Sequence, residues 1–596
     1  MNLQFFLSLL VPLFWLFLPF FLGVALFVFF LGSILSRRVW ILGLLALTLA
    51  CQCWNLSDVF IQGHFYFVDG DCYSRMTRAQ MIAEHPGTMI RRHEFENWPQ
   101  GVTAHTTAPL DYLIVFLKVL LDGAFRLFDP AHRSLLHSQT LDLAGALVSP
   151  LLGMAGAIFL AWWLTHFRVP YGSAALFIYA VSPIVAHGYL LARPDHQSLL
   201  MMLITVALGA ELALAQGPSA ALSPAGQRNW GIVSALAWST SLWVSLYEPT
   251  ILLVVVFLLW LCFRPRALFT RTRLPGAVIF LAVLLLALAL EGWSVELPNA
   301  EMRAYFGNWE KTIGELSHAP AKVIFQWIGW MAVATPVLLL LAWRRDRRAL
   351  PLLILLGVVL LLTVWQERWG YFLAIVFAWT LPWQMQALQA LLDSLVKRFV
   401  PGTPRAVQAI LRWSVTWMPF VICLWPILKD WDSRLFPDDF TQDRQTVNRG
   451  EMVALRGLAV EAIGANGGPF LASWWLSPAI AYWSRQPGVA GTSHESLPGI
   501  VDTAHFYLSA NPSDAATILM RRPVHWVLAG DPQQEISTSS ILLGVAPPKM
   551  PMATILYDHP ENAPDYLREW NGKVTAPIAG VRFYRLYEVI DANLPK

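Results

Sequence analysis

Long, nearly uncharged apolar runs recur along this chain, near 5–33, 39–56, 139–165, 171–190, 197–216, 229–246, 249–263, 275–292, 322–343, 350–365, 370–393 and 409–428. Runs of this kind match the length a helix needs to cross a bilayer, so they predict a polytopic α-helical membrane protein with about 12 transmembrane helices. Composition agrees. The 596 residues are 56% hydrophobic and 14% charged, with a mean hydropathy of +0.50, against about 25% charged in soluble chains. A net charge of +3, spread over short loops, gives no basic patch for nucleic acid. The run at 5–33 is too long for a cleaved signal peptide and lacks a basic flank, so it reads as a retained span. The run at 109–127 carries Asp111, Lys118, Asp122 and Arg126 and reads as an interfacial helix. No cysteine follows Cys423, so no disulfide framework holds the tail.

Basic residues give the expected topology. Arg37 and Arg38, then His166 and Arg168, then Arg264, Arg266, Arg271 and Arg273 fall in alternate loops. Arg344, Arg345, Arg347 and Arg348, and then Lys397, Arg398 and Arg405, continue the series. By the positive-inside rule that face is cytoplasmic. The other face receives the outer loops 57–138 and 293–321, the tight loop 192–197, the turn 365–369 and the tail from 430. The expected division is a membrane domain, 1–429, and a C-terminal extracytoplasmic α/β domain, 430–596. In the tail, short β-like runs such as 524–529 alternate with helical stretches such as 446–463, and Gly-Gly and Pro-Gly turns separate them.

The acids sort to that outer face, and each has a plain reading beside a chemical one. Asp69-Gly70-Asp71 can be ordinary turn chemistry, or two carboxylates able to converge on a hard cation. Asp195, after Arg193-Pro194, can cap the next helix, or bind metal with His196 or Gln197 beside it. Thr312 and Glu315 have the spacing of a capping box, while Glu315 can also serve as a ligand. Arg368, between two spans, can be an interfacial anchor or a bidentate grip on phosphate. Trp474 and Trp475 can be core or a sugar platform. An active site at the membrane surface is the leading expectation.

Taken in order, these residues resemble a family. Asp71-Cys72-Tyr73 follows an early span, and Asp195 lies in a tight loop before another. Thr312-Ile313-Gly314-Glu315 matches a Thr-Ile-x-Glu motif, Arg368 precedes an aromatic-rich span, and Trp474-Trp475 opens the soluble part. Over about 69–531 the chain resembles the catalytic subunit of oligosaccharyltransferase, a GT-C type glycosyltransferase of lipid-linked glycans. The resemblance implies catalytic roles for Asp71, Glu315 and Asp195, and a divalent metal, Mg2+ or Mn2+, held by Asp71, Asp195, His196 and Glu315. It implies donor phosphate on Arg368 and an acceptor region at Trp474 and Trp475. It further implies residence in a bacterial cytoplasmic membrane, with the active site facing outward.

Two departures bear on this. Gln197 stands where the family carries a charged or imidazole ligand. Leu476 stands where the family has the Asp of Trp-Trp-Asp, which accepts a hydrogen bond from the sequon hydroxyl. Losing such a partner costs about 1–3 kcal/mol, so the expected acceptor is another glycan, a lipid or a protein site outside the usual sequon. The region 263–293 holds fewer spans than in bacterial relatives. A transporter or flippase of lipid-linked sugars is the competing class, although such proteins place ionisable residues at mid-bilayer, and here they cluster outside. A scaffold that has lost activity is a third reading, resting on Gln197 and Leu476.

Overall fold

The computed structural model describes residues 37–104, 106–128, 137–215, 222–292, 302–399, 405–572, 578 and 580–590. The expected span at 5–33 lies outside the described residues. Every other expected span coincides with helix. Four helices, Arg38–Val59, Thr140–His166, His196–Leu214 and Arg271–Glu291, are long and apolar enough on their own to cross a membrane. A fifth is added if the bent pair Ala321–Ile328 and Met331–Trp343 counts as one.

Among the expected spans that are not single helices, 409–428 is divided at Leu424 between Arg405–Cys423 and Trp425–Leu435, and two others break for reasons visible in their residues. The run at 171–190 splits at Ser182, whose backbone is extended because Pro183 follows it. The run at 322–343 turns by 67° at Gly329, which takes a positive φ of +75°. A Cβ there would lie 2.6 Å from the Cys423 carbonyl oxygen, so this bend requires glycine. The run at 109–127 is the helix Pro109–Phe128.

Helix packing follows from which residues are small and which faces stay apolar. The helix Pro224–Val244 packs between His196–Leu214 and Leu274–Glu291. Gly276 lets one of these contacts close, since a Cβ on it would come within 2.5 Å of the Gly231 carbonyl. The outward face of Leu274–Glu291 exposes Val278, Leu281, Leu285 and Leu288, a surface suited to lipid rather than water. The helix Gly370–Phe399 packs on Gly172–Val181, Met331–Trp343 and Ala349–Trp365, burying Trp379, Phe372 and Phe377.

Residue 430 falls within the helix Trp425–Leu435, and beyond it lies the helix Asp439–Leu458. The following region holds a four-stranded mixed sheet. Its strands run in the order Phe470–Leu471, Trp526–Ala529, Arg585–Val589, Leu567–Glu569, the first pair parallel and the others antiparallel. The β-like run at 524–529 thus supplies an inner strand. Its two faces join different cores, Trp526 and Leu528 the membrane-proximal one and Val527 and Ala529 a separate cluster with Phe506, Tyr507 and Leu556.

This region is fastened to the helix Gly70–Glu84 by the helix Ser477–Ser484. The approach is tight at Gly70, where a Cβ would stand 2.7 Å from Cγ2 of Thr492 and 3.4 Å from the Trp475 carbonyl oxygen. Gly70→Ala should therefore cost about 1–3 kcal/mol and loosen this contact. Thermal unfolding of the purified chain, with limited proteolysis between 485 and 495, measures it; an unchanged melting curve would show that the contact yields freely.

Candidate active site

Two short segments build the acidic centre. Asp69 takes the N-cap position of the helix Gly70–Glu84 because its backbone is extended and its Oδ1 accepts a hydrogen bond from the Cys72 amide at 3.0 Å. Asp71 then falls in the first helical turn, where the helix N-terminus favours negative charge. The second segment is the turn before the helix His196–Leu214. The Val68 amide donates to the Ala192 carbonyl at 3.1 Å, and the Leu191 amide donates to the Gln52 carbonyl at 2.9 Å. Ala192 has a φ of +59°. These bonds fasten the turn beside Asp69.

Asp195 occupies the N-cap position of that helix but makes no side-chain capping bond. Its oxygens are taken instead by Arg193 Nη2, at 3.2 Å, and by His196 Nδ1, at 2.6 Å. Burial pushes this carboxyl up, but His196 and Arg193 outweigh it and hold it well below the usual carboxylate range. Arg193 also faces Asp69 Oδ2, at 3.6 Å. Its guanidinium lies over the ring of Tyr371, 5.7 Å from the centroid.

Asp71 has the opposite character. Desolvation by the walls of the cleft, then the charges of Asp69 and Asp195 and, more weakly, Glu315, push its carboxyl up to about 7, although Thr492 hydrogen-bonds it. The side chain remains open to solvent, so the crowding of like charge matters beside the loss of water. Glu315 therefore belongs to the same electrostatic centre. It lies in the short turn Gly314–Leu316, packed against the turn Glu367–Trp369 that carries Arg368. The Glu367 amide fixes the two turns by donating to the Ser317 carbonyl at 2.9 Å. The expected capping box is not formed, since Thr312 Oγ1 donates to the Trp309 carbonyl at 2.7 Å.

Arg368 is partly buried, its side chain 18% exposed. Its Nη2 reaches Glu248 Oε1 at 2.5 Å, and its guanidinium lies over Tyr247, 5.6 Å from the centroid. Glu248, Glu315 and Asp195 hold it firmly protonated against the opposing effect of burial. Glu248 is fully buried and also accepts from Ser245 Oγ at 2.9 Å and from Gln197 Nε2 at 3.4 Å. Gln197 is thus turned toward Glu248.

Asp195 and Glu315 each influence the charge of both Asp71 and Arg368, and of these five expected site residues the contact pair among the described residues is Asp195 with His196. Trp474 lies to one side, its ring 6.0 Å from Trp309 and 5.6 Å from Trp475. It joins the cluster formed with Leu497, Ile500 and Val501. Among the described residues no group of three or more His, Cys, Asp or Glu side chains is close enough to enclose a metal ion. Sequence reasoning missed Arg193, Glu248, Tyr371 and Thr492. Glu248 carried a signal, as an acid in the opening turn of an otherwise apolar span, whereas Thr492 carried none.

No protein-family model matches the sequence, and no curated protein does. Solved structures do. The oligosaccharyltransferase AglB of Archaeoglobus fulgidus, in complex with an inhibitory peptide and a dolichol-phosphate, matches with a TM-score of 0.60 at 13% identity, over 94% of this chain and 75% of that one. The Archaeoglobus fulgidus oligosaccharyltransferase in complex with Zn and sulfate matches at 0.57 and 15% identity, over 86% and 70%. ArnT of Cupriavidus metallidurans, bound to undecaprenyl phosphate, matches at 0.52 and 14% identity, over 94% and 100%. The chain has the GT-C fold. At this identity the match speaks for the fold, and a GT-C fold this far diverged must be read from its own residues.

Two outcomes follow from the geometry. Asp71 should be protonated at pH 6 and ionised at pH 8, so its labelling by a carbodiimide falls across that interval. Asp69→Asn should shift the loss to lower pH, and labelling that ignores pH would refute the crowding. Because this carboxyl lies above its unfolded value, its contribution to stability is present below about pH 4 and is lost as pH rises through about 7. Separately, Arg368→Ala leaves Glu248 buried and unpaired and should cost about 3–5 kcal/mol. Glu248→Gln in the same chain should recover most of that loss in thermal unfolding, and additive losses would show the pair is not coupled.

Proposed function

We propose that the chain is a membrane glycosyltransferase that moves a glycan from a polyprenyl-(pyro)phosphate donor to an acceptor on the extracytoplasmic face of a bacterial cytoplasmic membrane. The observation that carries this reading is the convergence of acids on one arginine: the charges of Asp195 and Glu315 act both on Asp71 and on Arg368, and the turn that carries Glu315 packs on the turn that carries Arg368. A donor of this class keeps its lipid in the bilayer and presents its phosphate at the surface. The placement of these residues in loops and turns at helix ends suits such a substrate. The structural relatives bound to dolichol-phosphate and to undecaprenyl phosphate support that donor class.

Each residue has a distinct task in this reading. Arg368 binds the donor phosphate and offsets the charge that builds on it as the glycosidic bond breaks. Glu248 and Tyr247 hold its guanidinium in place. Glu315 orients the acceptor or takes its proton. Attack from the face opposite the leaving phosphate gives single inversion at the anomeric carbon. Trp474 and Trp475 border the acceptor region, and Leu476 offers no acceptor atom for a sequon hydroxyl, so an Asn-x-Ser/Thr peptide is not the expected acceptor.

The resemblance implies a divalent cation, Mg2+ or Mn2+, on Asp71, Asp195, His196 and Glu315, but the residues as placed do not fit one. No three His, Cys, Asp or Glu side chains among the described residues stand close enough to enclose an ion, and His196 is turned with Nδ1 on Asp195. No step is routed through a metal.

The test is transfer from a polyprenyl-linked donor in membranes carrying the chain, with the glycoconjugate missing from a deletion strain identifying the acceptor. Asp71→Ala should lower transfer by about 100-fold at unchanged protein level. Retained transfer from a donor already on the outer face, with only lipid translocation lost, would instead establish a flippase.

A further inference from the structure

The acidic centre already contains a permanent cation. Arg193 is 5% exposed and lies between two carboxylates, with Nε 3.6 Å from Asp69 Oδ2 and Nη2 3.2 Å from Asp195 Oδ2. Its guanidinium lies over the ring of Tyr371, and the Tyr371 hydroxyl is hydrogen-bonded to His187 Nδ1 at 2.9 Å, so this aromatic seat is fixed from behind. The backbone is fixed too. The Ser149 hydroxyl donates to the Arg193 carbonyl, and the Ser198 hydroxyl donates to the Asp195 carbonyl at 2.8 Å, with Pro194 restricting the turn between them. Nε and Nη1 of Arg193 make no hydrogen bond among the described residues and are closed to solvent. Charge and the Tyr371 ring hold the guanidinium there more than hydrogen bonds do.

The atoms that a divalent ion would need are engaged by the protein itself. Asp195 has one oxygen on Arg193 and the other on His196 Nδ1. Asp69 has Oδ1 on the Cys72 amide and Oδ2 facing Arg193. The Gln197 amide donates to Glu248. We infer that Arg193 occupies the place of the divalent ion that the resemblance implies, and that the centre works without a metal. This rests on the transferase reading above and alters its chemistry. The acceptor oxygen or nitrogen forms the new bond to the anomeric carbon, and its proton passes to the Glu315 carboxylate. The phosphate leaves with the electron pair of the broken bond, and the Arg368 guanidinium offsets that charge. Arg193 is a positioning residue, holding Asp69 and Asp195 side by side next to Asp71. A guanidinium suits this place, since it is always charged and its planar fork presents donors in two directions. A dication set a few ångströms from it would be repelled.

Two readouts on the full-length chain test this. In membranes carrying the chain, glycan transfer from the polyprenyl-linked donor should stay within about twofold of its rate after chelation with EDTA. Mn2+ titrated onto the purified chain in nanodiscs, followed by electron paramagnetic resonance, should show no ion held stoichiometrically. Transfer lost on chelation and restored by Mg2+ or Mn2+ overturns the inference, as does one Mn2+ held per chain. Arg193→Lys, which keeps the charge, should retain more transfer than Arg193→Gln, which should lose about 100-fold. Equal losses in the two variants would return Arg193 to bracing the turn and overturn its place as the resident cation. Should the Gln variant fail to fold, the chelation and Mn2+ measurements on the wild-type chain decide. Transfer missing under every condition would defeat the enzyme reading, and the Mn2+ titration would then judge by itself whether Arg193 holds the ion's place.

Discussion

The centre depends on a main-chain bond, from the Val68 amide to the Ala192 carbonyl. Asp69 and Asp195 are far apart in sequence, and a flexible loop at either would let their like charges separate. The bond holds the two segments side by side, and Arg193 then makes that proximity tolerable by placing a guanidinium between the carboxylates. Without the cation, two acids at this spacing would force one to take up a proton. With it, Asp195 stays ionised, and the strain of crowding passes to Asp71, the carboxyl that Arg193 does not reach.

The C-terminal region completes the centre as well as covering it. Thr492 bonds Asp71 and presses on Gly70, so the acid's position is set partly by residues more than four hundred positions later. Trp474 packs against Trp309, three residues before Thr312, and the Asn308 amide donates to the Leu542 carbonyl at 3.2 Å. The segment that delivers Glu315 is thereby fastened to the same region. A neighbouring anchor comes from Glu96, which accepts from both Ser74 and Ser493 and so ties the helix bearing Asp71 to the residue after Thr492. Any motion that lifts the C-terminal region would move Thr492 and the Glu315 turn together.

Much of this was legible in the chain before its fold was known. Helix positions followed from apolar run length, because backbone groups in a bilayer have no partner except their own helix. Asp71, Asp195, Glu315 and Arg368 were singled out by the ordered motifs that resemble the oligosaccharyltransferase family, on the face opposite the basic loops; from the residues alone each had a plain reading as well. The bends at Ser182 and Gly329 were not legible, since average hydropathy is blind to one residue's φ and ψ. Glu248, an acid in the first turn of an apolar helix, is the buried partner of Arg368, which only the fold reveals. Arg193 looked like part of a turn because sequence shows adjacency, and its second carboxylate, Asp69, is adjacent only in space. Gln197 reads differently once placed: its amide reaches Glu248, so the missing ligand has become a support for the arginine's anchor.

Charge balance explains why these departures belong together. A second acid at position 197 would lie near Glu248, and two buried carboxylates sharing one arginine would leave negative charge uncompensated in a site with little water. A neutral amide avoids that while still donating a hydrogen bond. Arg193 acts in the same direction at the other side of the centre, setting its guanidinium between Asp69 and Asp195. The two arginines and the glutamine balance the acids with side chains that are covalently part of the protein. A centre built this way keeps Asp71, with its carboxyl raised to about 7, as the group whose charge most readily responds to what binds there.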